Sequence, residues 1–474
     1  MKSLCVKRCV YGDDFMNLVI PKFANLQLLN ISYTSVGDGT LHLIGKYCKN
    51  LRYTWHLLLF SAYLLFLSLC RELILEGCSH ITDAGMQGLC VSVDQLGKEV
   101  EGIGQCKLLE HLVTDGTNIT RTGVKLGILN LPNLKRWKMV SVQFLNEVYQ
   151  ENFLNNELHE IPKYSLIHLE IQATKYISGS LALAVSMCPS ATQVNIKTVS
   201  SLTDTDLQAL QSLKSLHELE IDGYDYENVC EITFSGGVTP LLKTFGSTTL
   251  KVLRLSALRH VNVDVIIQLC SNLYSLNLDH NYNYSTARPE EEQINVGTSV
   301  MVQLEKLDLS LKKHHSLRIP PENILSLFSI PSLKKITCWN CTTLSDEILL
   351  RAARLHHFKN LESIELAVCY SVTKNGIEVL MDDRNGIKEI ELNHCAKITY
   401  DDAIHWRQRA SSSNWDLDIH YEEYSSEHES EEMDWNENEF GEIELDDLMH
   451  TDSDSDIEDY DGRMHREWQW MIGG

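Results

Sequence analysis

The side chains whose type could do chemistry are the 14 cysteines, the 19 histidines and the carboxylates. Cys338-x-x-Cys341 has the spacing of one arm of a zinc site. A closed site needs a second pair at ligand spacing, and none is present. Cys338 also falls at a strand leucine position of a recurring apolar pattern, so the pair reads as buried, reduced thiol. His314-His315 and His356-His357 are adjacent pairs. Consecutive residues on a strand or helix point different ways, so these read as surface histidines rather than ligands. There is no Gly-rich loop followed by Lys-Ser/Thr, no Gly-x-Ser-x-Gly elbow and no His-Glu-x-x-His. The expectation is a chain with no catalytic residues of its own, no cofactor and no metal.

The elements that carry these residues repeat. An apolar residue, two variable ones, an apolar, one variable and an apolar recur, as in Leu361-Glu-Ser-Ile364-Glu-Leu366 and Ile387-Lys-Glu-Ile390-Glu-Leu392. Other copies start at Leu26, Leu166, Ala191, Leu216, Leu250, Leu273, Leu304 and Leu333, and from Leu166 onward successive starts lie 23 to 34 residues apart. The period of two predicts a short strand, and the remainder of each unit has helical apolar spacing. Thr373 before Lys-Asn-Gly376-Ile-Glu-Val-Leu380 reads as a helix N-cap. Two copies are longer: Leu73-Ile-Leu75-Glu-Gly-Cys78-Ser-His-Ile81-Thr82-Asp83, and Ile390-Glu-Leu392-Asn-His-Cys395-Ala-Lys-Ile398-Thr399-Tyr-Asp401. Cys9, Cys78, Cys341, Cys369 and Cys395 occupy the turn after a strand. Cys48, Cys188 and Cys270 end the helical half, just before the next strand. A small apolar side chain with a weak S–H donor suits a buried turn lined by carbonyls.

These copies resemble the cysteine-containing leucine-rich repeat of the F-box/leucine-rich-repeat protein family. The resemblance implies an α/β leucine-rich-repeat solenoid, a horseshoe with parallel strands on its concave face. It would span residues 1–420 in about 14 repeats, be interrupted by an apolar insertion at 53–71, and be followed by an acidic disordered tail over 421–474.

Two features depart from a plain solenoid. Met1-x-x-Leu4-x-Val6-x-x-Cys9 already matches the repeat, with no polar cap before it. The expectation is an N-terminally shortened form with no F-box. The second departure is Tyr53–Arg71, an apolar run as long as a short membrane span. Removing it joins Asn50-Leu51-Arg52 to Glu72-Leu73-Ile74-Leu75 and restores the pattern. A translated retained intron accounts for this better than a membrane helix, which would split a continuous core.

The formal net charge is −24, and residues 421–461 hold 19 Asp and Glu without a Lys or Arg. Such a field repels phosphates, so nucleic acid is a poor partner. Too few apolar residues remain in that stretch to offset ordering entropy. Thr451, Ser453 and Ser455 each precede an acid by three positions. The first residues lack an apolar run long enough for a secretory signal, which makes cytoplasm or nucleus the expected compartment.

A repeat solenoid offers an extended surface rather than a closed pocket, which favours protein binding. Alternation along each strand puts Glu218, Glu220, Asp222, Arg254, Asn277, Asp279, Lys335, Trp339, Glu365, Glu389 and Glu391 on the concave face. Trp339 stands out among them as a candidate hot spot. The resemblance implies a substrate-recognition subunit of a cullin–RING F-box ubiquitin ligase. The protein substrate would sit on the concave face, the ligase adaptor would be reached only through an F-box upstream, and partner subunits would carry out ubiquitin transfer. The alternative is a non-ligase leucine-rich-repeat scaffold whose acidic tail binds basic proteins such as histones.

Overall fold

The computed structural model describes residues 3–23, 26, 28–48, 72–90, 92–93, 99–100, 106–152, 161–172, 176–197, 201–223, 231–285, 301–311, 319–382 and 385–423. Two parallel sheets account for almost all of its strands. The first has five, in the order Ser3–Cys5, Leu28–Asn30, Glu72–Ile74, His111–Val113 and Arg136–Trp137. The second has ten, running from His168–Gln172 through Gln193–Lys197, Glu218–Asp222, Val252–Ser256, Ser275–Asp279, Lys306–Ser310, Lys335–Trp339, Ser363–Ala367 and Glu389–Asn393 to Asp418–Glu422. Within each parallel sheet every strand pairs with the next parallel strand in the chain, and most are joined by a helix, as a leucine-rich-repeat solenoid requires. Ile167 N donates to Lys135 O at 3.0 Å, which carries main-chain pairing across the gap between the two sheets. One local exception is the antiparallel pair Ser92–Val93 with Glu99–Val100, in a stretch where the repeat pattern is weak.

Register explains the core. Leu219, Leu253, Leu276, Leu307, Ile336, Ile364, Ile390 and Ile419 are successive partners across the second sheet, and all are buried. A shift of one residue would turn that whole column to solvent, so the alternation pins the pairing. Tyr421 and Glu422, expected in the acidic tail, instead complete the last strand. They pair with Leu392 and Asn393, and the Tyr421 hydroxyl donates to Ile398 O at 3.1 Å. Residues 424–474 lie outside the described residues, as do His314 and His315.

The turn cysteines have a specific job. Cys78 Sγ donates to Ile31 O at 3.1 Å, Cys369 Sγ to Cys338 O at 3.6 Å and Cys395 Sγ to Leu366 O at 3.3 Å. Each reaches a carbonyl of the preceding repeat, tying turn to strand. Cys9 and Cys341 differ: the half-buried Cys9 thiol reaches Lys7 O within its own turn, and the buried Cys341 thiol lies 3.9 Å from Thr343 Oγ1. Cys48, Cys188 and Cys270 are the buried C-cap residues of their helices. Burial pushes the Cys48 thiol up to about 11 and those of Cys188 and Cys270 up to about 12, so they stay protonated at neutral pH. A hydrogen bond shared by Cys338 and Cys341, then burial, pushes the Cys338 thiol well up, while that same bond draws the Cys341 thiol down. A protonated thiol is a weak nucleophile and a poor metal ligand. Among the described residues no group of three or more His, Cys, Asp or Glu could hold a metal ion.

Residues 53–71 lie outside the described residues, but the strand beside them does not. Glu72 pairs with Leu28 and Leu73 with Leu29, and both Leu73 and Leu75 are fully buried. In the preceding repeat Leu26 fills the buried position three residues before Leu29. The corresponding position before Leu73 is Cys70 in the chain as written, and it would be Leu51 once Arg52 is joined to Glu72. Deleting 53–71 is therefore expected to keep the strand register. It should raise stability by about 1 kcal/mol, from the larger apolar side chain, and reduce aggregation. Melting and light scattering of the two forms check this, and a lower melting temperature for the deleted form would contradict it. Among the described residues no helix is long and apolar enough to cross a membrane.

Candidate protein-binding face

The alternation that buries one set of strand residues leaves the other set on the face turned away from the core. In the second sheet the first, third and fifth residues of most strands are half-exposed while the second and fourth are buried. Glu218, Glu220, Asp222, Arg254, Asn277, Asp279, Lys335, Trp339, Glu365, Glu389 and Glu391 all occupy such positions, as the strand period requires. Three rows run across the strands. The middle one reads Glu170, Asn195, Glu220, Arg254, Asn277, Asp308, Thr337, Glu365, Glu391 and His420.

Tertiary pairing divides this face into two electrostatic halves. In the first, Arg254 bonds the Glu218 carboxylate and lies 3.5 Å from Glu220 Oε2. Gln193 donates to Glu218 Oε2 at 3.1 Å and accepts from Arg136 Nη2 at 2.8 Å. Arg254 is thus shared by two carboxylates, and Gln193 links one of them to Arg136. The second half spans Ser275–Asp279 to Asp418–Glu422. Asp279, Asp308, Glu365, Glu389, Glu391, Asp418 and Glu422 face outward there, against Lys306 and Lys335. Two of these acids have neutral donors: Asn277 Nδ2 bonds Asp308 Oδ2 at 3.0 Å, and Ser363 Oγ bonds Glu389 Oε2 at 3.1 Å. Asp308 Oδ1 is shielded from solvent and has no hydrogen-bond partner among the described residues. Burial, then the charges of Asp279 and Glu365, raise the Asp308 carboxyl from its ordinary value.

Trp339 is 46% exposed on this face. Its partners across the two neighbouring strands are Ser310 and Ala367, which are too small to cover an indole, and the His280 ring lies 5.9 Å away.

Sequence reasoning missed several outward residues. Lys306, Asp308 and Ser310 occupy the same register as their neighbours, and the same alternation would have found them. Glu170 is different. It is only 5% exposed, with Lys197 Nζ at 4.0 Å, and that burial depends on strands far apart in the chain.

A depression of about 540 Å³ opens where the two sheets meet, lined by His111, Trp137, His168, Asn195, Arg254 and Tyr274 among others. Burial, then the Arg136 charge, lowers the His111 imidazole to about 4; Lys135 lowers it further and Glu110 opposes the shift. An unfolded histidine titrates near 6.5. Between those values the unfolded chain carries the extra proton, so His111 costs stability as pH falls from about 6.5 towards 4. His111→Gln is expected to reduce the stability lost between pH 7 and pH 4.5 by about 2 kcal/mol. Urea melts of both forms at the two pH values check it, and an unchanged difference would show that His111 is not held neutral.

No protein-family model matches the chain. No curated relative matches it either. Among solved structures it is similar to a chain of the yeast Rad7–Elc1 complex, at 14% identity and a TM-score of 0.48, covering 82% of this chain and 81% of that one. An internalin, InlF, of Listeria monocytogenes follows at 13% identity and a TM-score of 0.36, covering 89% and 86%. A chain of the mouse RP105/MD-1 complex is similar at 14% identity and a TM-score of 0.35, covering 88% and 79%. Likeness at this level of identity and overlap bears on neither the activity nor the partners of this chain.

Proposed function

We propose that this chain is a non-catalytic recognition protein that holds a protein partner on its strand face, as the substrate-binding subunit of a cullin–RING ubiquitin ligase does. The observation that carries the binding role is Trp339. A half-exposed indole on a polar strand face, flanked by Ser310 and Ala367, leaves apolar surface uncovered that a partner would bury. The ligase assignment rests on the Cys and Ile-Thr-Asp repeat signature. Its residues hold one repeat to the next, so they speak for the repeat type rather than for catalysis.

The test compares the full chain with Trp339→Ala. Each is used to capture proteins from cell extract, followed by quantitative mass spectrometry and by half-life measurement in cells with and without the chain. The expected result is a set of proteins retained about tenfold less by the variant, whose half-lives lengthen when the chain is removed. Retained proteins with unchanged half-lives would leave the binding role and remove the ligase role. Identical capture by both forms would remove the binding face. The 19 acids of residues 421–461 favour a second reading, a scaffold whose tail binds basic proteins. In that case neutralising the tail would abolish capture and Trp339→Ala would not.

A further inference from the structure

The two halves of the strand face differ in how their charges are met, and the difference says what the partner must bring. Around Arg254 the charges are already paired within the chain. Beyond it, from Asn277 and Asp279 onward, the middle and last rows carry carboxylates and no Lys or Arg. Asp308, Thr337 and Glu365 are direct register partners on three adjacent strands. Strands lie about 4.8 Å apart, so the backbones of Asp308 and Glu365 stand about 10 Å from each other, with the short Thr337 residue between them. Trp339, two residues along the same strand as Thr337, rims this gap on the same face. Asp308 is already held on its other side, where Asn277 Nδ2 bonds Oδ2 at 3.0 Å.

Resting on the protein-binding reading, we infer that this half of the face receives a basic segment of a partner protein. One Lys or Arg side chain enters between Asp308 and Glu365, against the Trp339 ring. A cation there offsets two like charges that have no Lys or Arg in their own row of this half. It also sits at an aromatic face, where a partly desolvated cation is attracted by the ring quadrupole. Acidic partners are repelled by the same carboxylates, so charge sets the class of partner as well as the rate of encounter.

Random twelve-residue peptides displayed on phage are panned against the full chain. The best binders are resynthesised with a photoreactive group and cross-linked, and the adducts are mapped by mass spectrometry. The inference expects Lys- or Arg-containing peptides cross-linked to residues 275–422 of the strand face. It expects binding that weakens as salt rises, and an affinity loss on the order of tenfold for both Trp339→Ala and the double variant Asp308→Asn/Glu365→Gln. Replacing the peptide's Arg by citrulline, which keeps shape and loses charge, should cost as much. Melting temperatures of the variants establish that they remain folded. Acidic or uncharged peptides cross-linked to this face would overturn the basic partner and leave the protein-binding reading standing. Cross-links confined to the helices or to residues 424–474, with affinity unaffected by the substitutions, would overturn both.

Discussion

Trp406→Ala is expected to destabilise the last repeats by about 4 kcal/mol, in the range for truncating a fully buried aromatic side chain. Trp406 is completely buried in the helix Tyr400–Ser412, whose Thr399 and Asp402 form a capping box. Its indole donates to Glu378 Oε1 at 2.8 Å, and Arg409 reaches the other oxygen of the same carboxylate at 2.7 Å. The indole thus joins two repeats through one acid and fills space beneath the last strand, where Ile419 is also buried. Truncation opens a cavity and leaves Glu378 with one donor fewer. Trp406→Phe keeps most of the volume and loses the hydrogen bond, so about 1 kcal/mol is expected from it. Each repeat touches mainly its neighbours, so the damage is local. Hydrogen exchange should accelerate in Glu389–Asn393 and Asp418–Glu422 while His168–Gln172 is unaffected. Uniform acceleration along the chain would show that the last helix is not a local clamp.

Asp346→Ala is expected to cost about 2 kcal/mol, although Asp346 lies at a helix start rather than on a strand. Asp346 opens the helix Asp346–His356, and its carboxylate accepts from Thr373 N at 2.8 Å and from Thr373 Oγ1 at 2.6 Å. Thr373 is the N-cap of the next helix. The same bridge links Asp38 to Thr82 and Asp204 to Thr233, with main-chain and hydroxyl donors at 2.7 Å in both cases. Asp83 and Thr120 repeat it. An aspartate in one helix's first turn therefore caps the next repeat, favoured by the positive helix end and by two charge-assisted hydrogen bonds. Glycine three residues after the threonine follows from this. A Cβ at Gly85, Gly123 or Gly376 would meet the carboxylate of the preceding repeat. Asp346→Ala, Thr373→Ala and the double variant, compared by urea denaturation, should show a coupling energy above 1 kcal/mol. Additive costs would mean that the pair acts only through separate helix ends.

How far this was legible beforehand varies with how local each cause is. The strands, the outward residues and the place of the turn cysteines follow from a period of two and a recurring spacing, both visible along the chain. Thr373 as an N-cap was legible for the same reason. Register partners, by contrast, sit a whole repeat apart. That Glu218 and Glu220 share Arg254, whereas Asp308 keeps an oxygen without a donor among the described residues, depends on which repeat stacks beside which. The Ile-Thr-Asp turn was readable as a signature, and its function was not, because its two bonded halves lie in different repeats.

Sequence by itself determined the repeat, the buried leucine columns, the direction each strand residue faces and the acidic stretch after the last strand, because each depends on neighbours within a few positions. Tertiary structure alone decided what those residues meet. It placed cysteine thiols on the carbonyls of the preceding repeat, aspartates on the next repeat's threonines, and Tyr421 and Glu422 in a strand rather than a tail. It also left Trp339 uncovered between Ser310 and Ala367. Hydrogen bonding and burial act between groups a few ångströms apart, and stacking repeats brings together groups that lie some 25 to 30 residues apart along the chain.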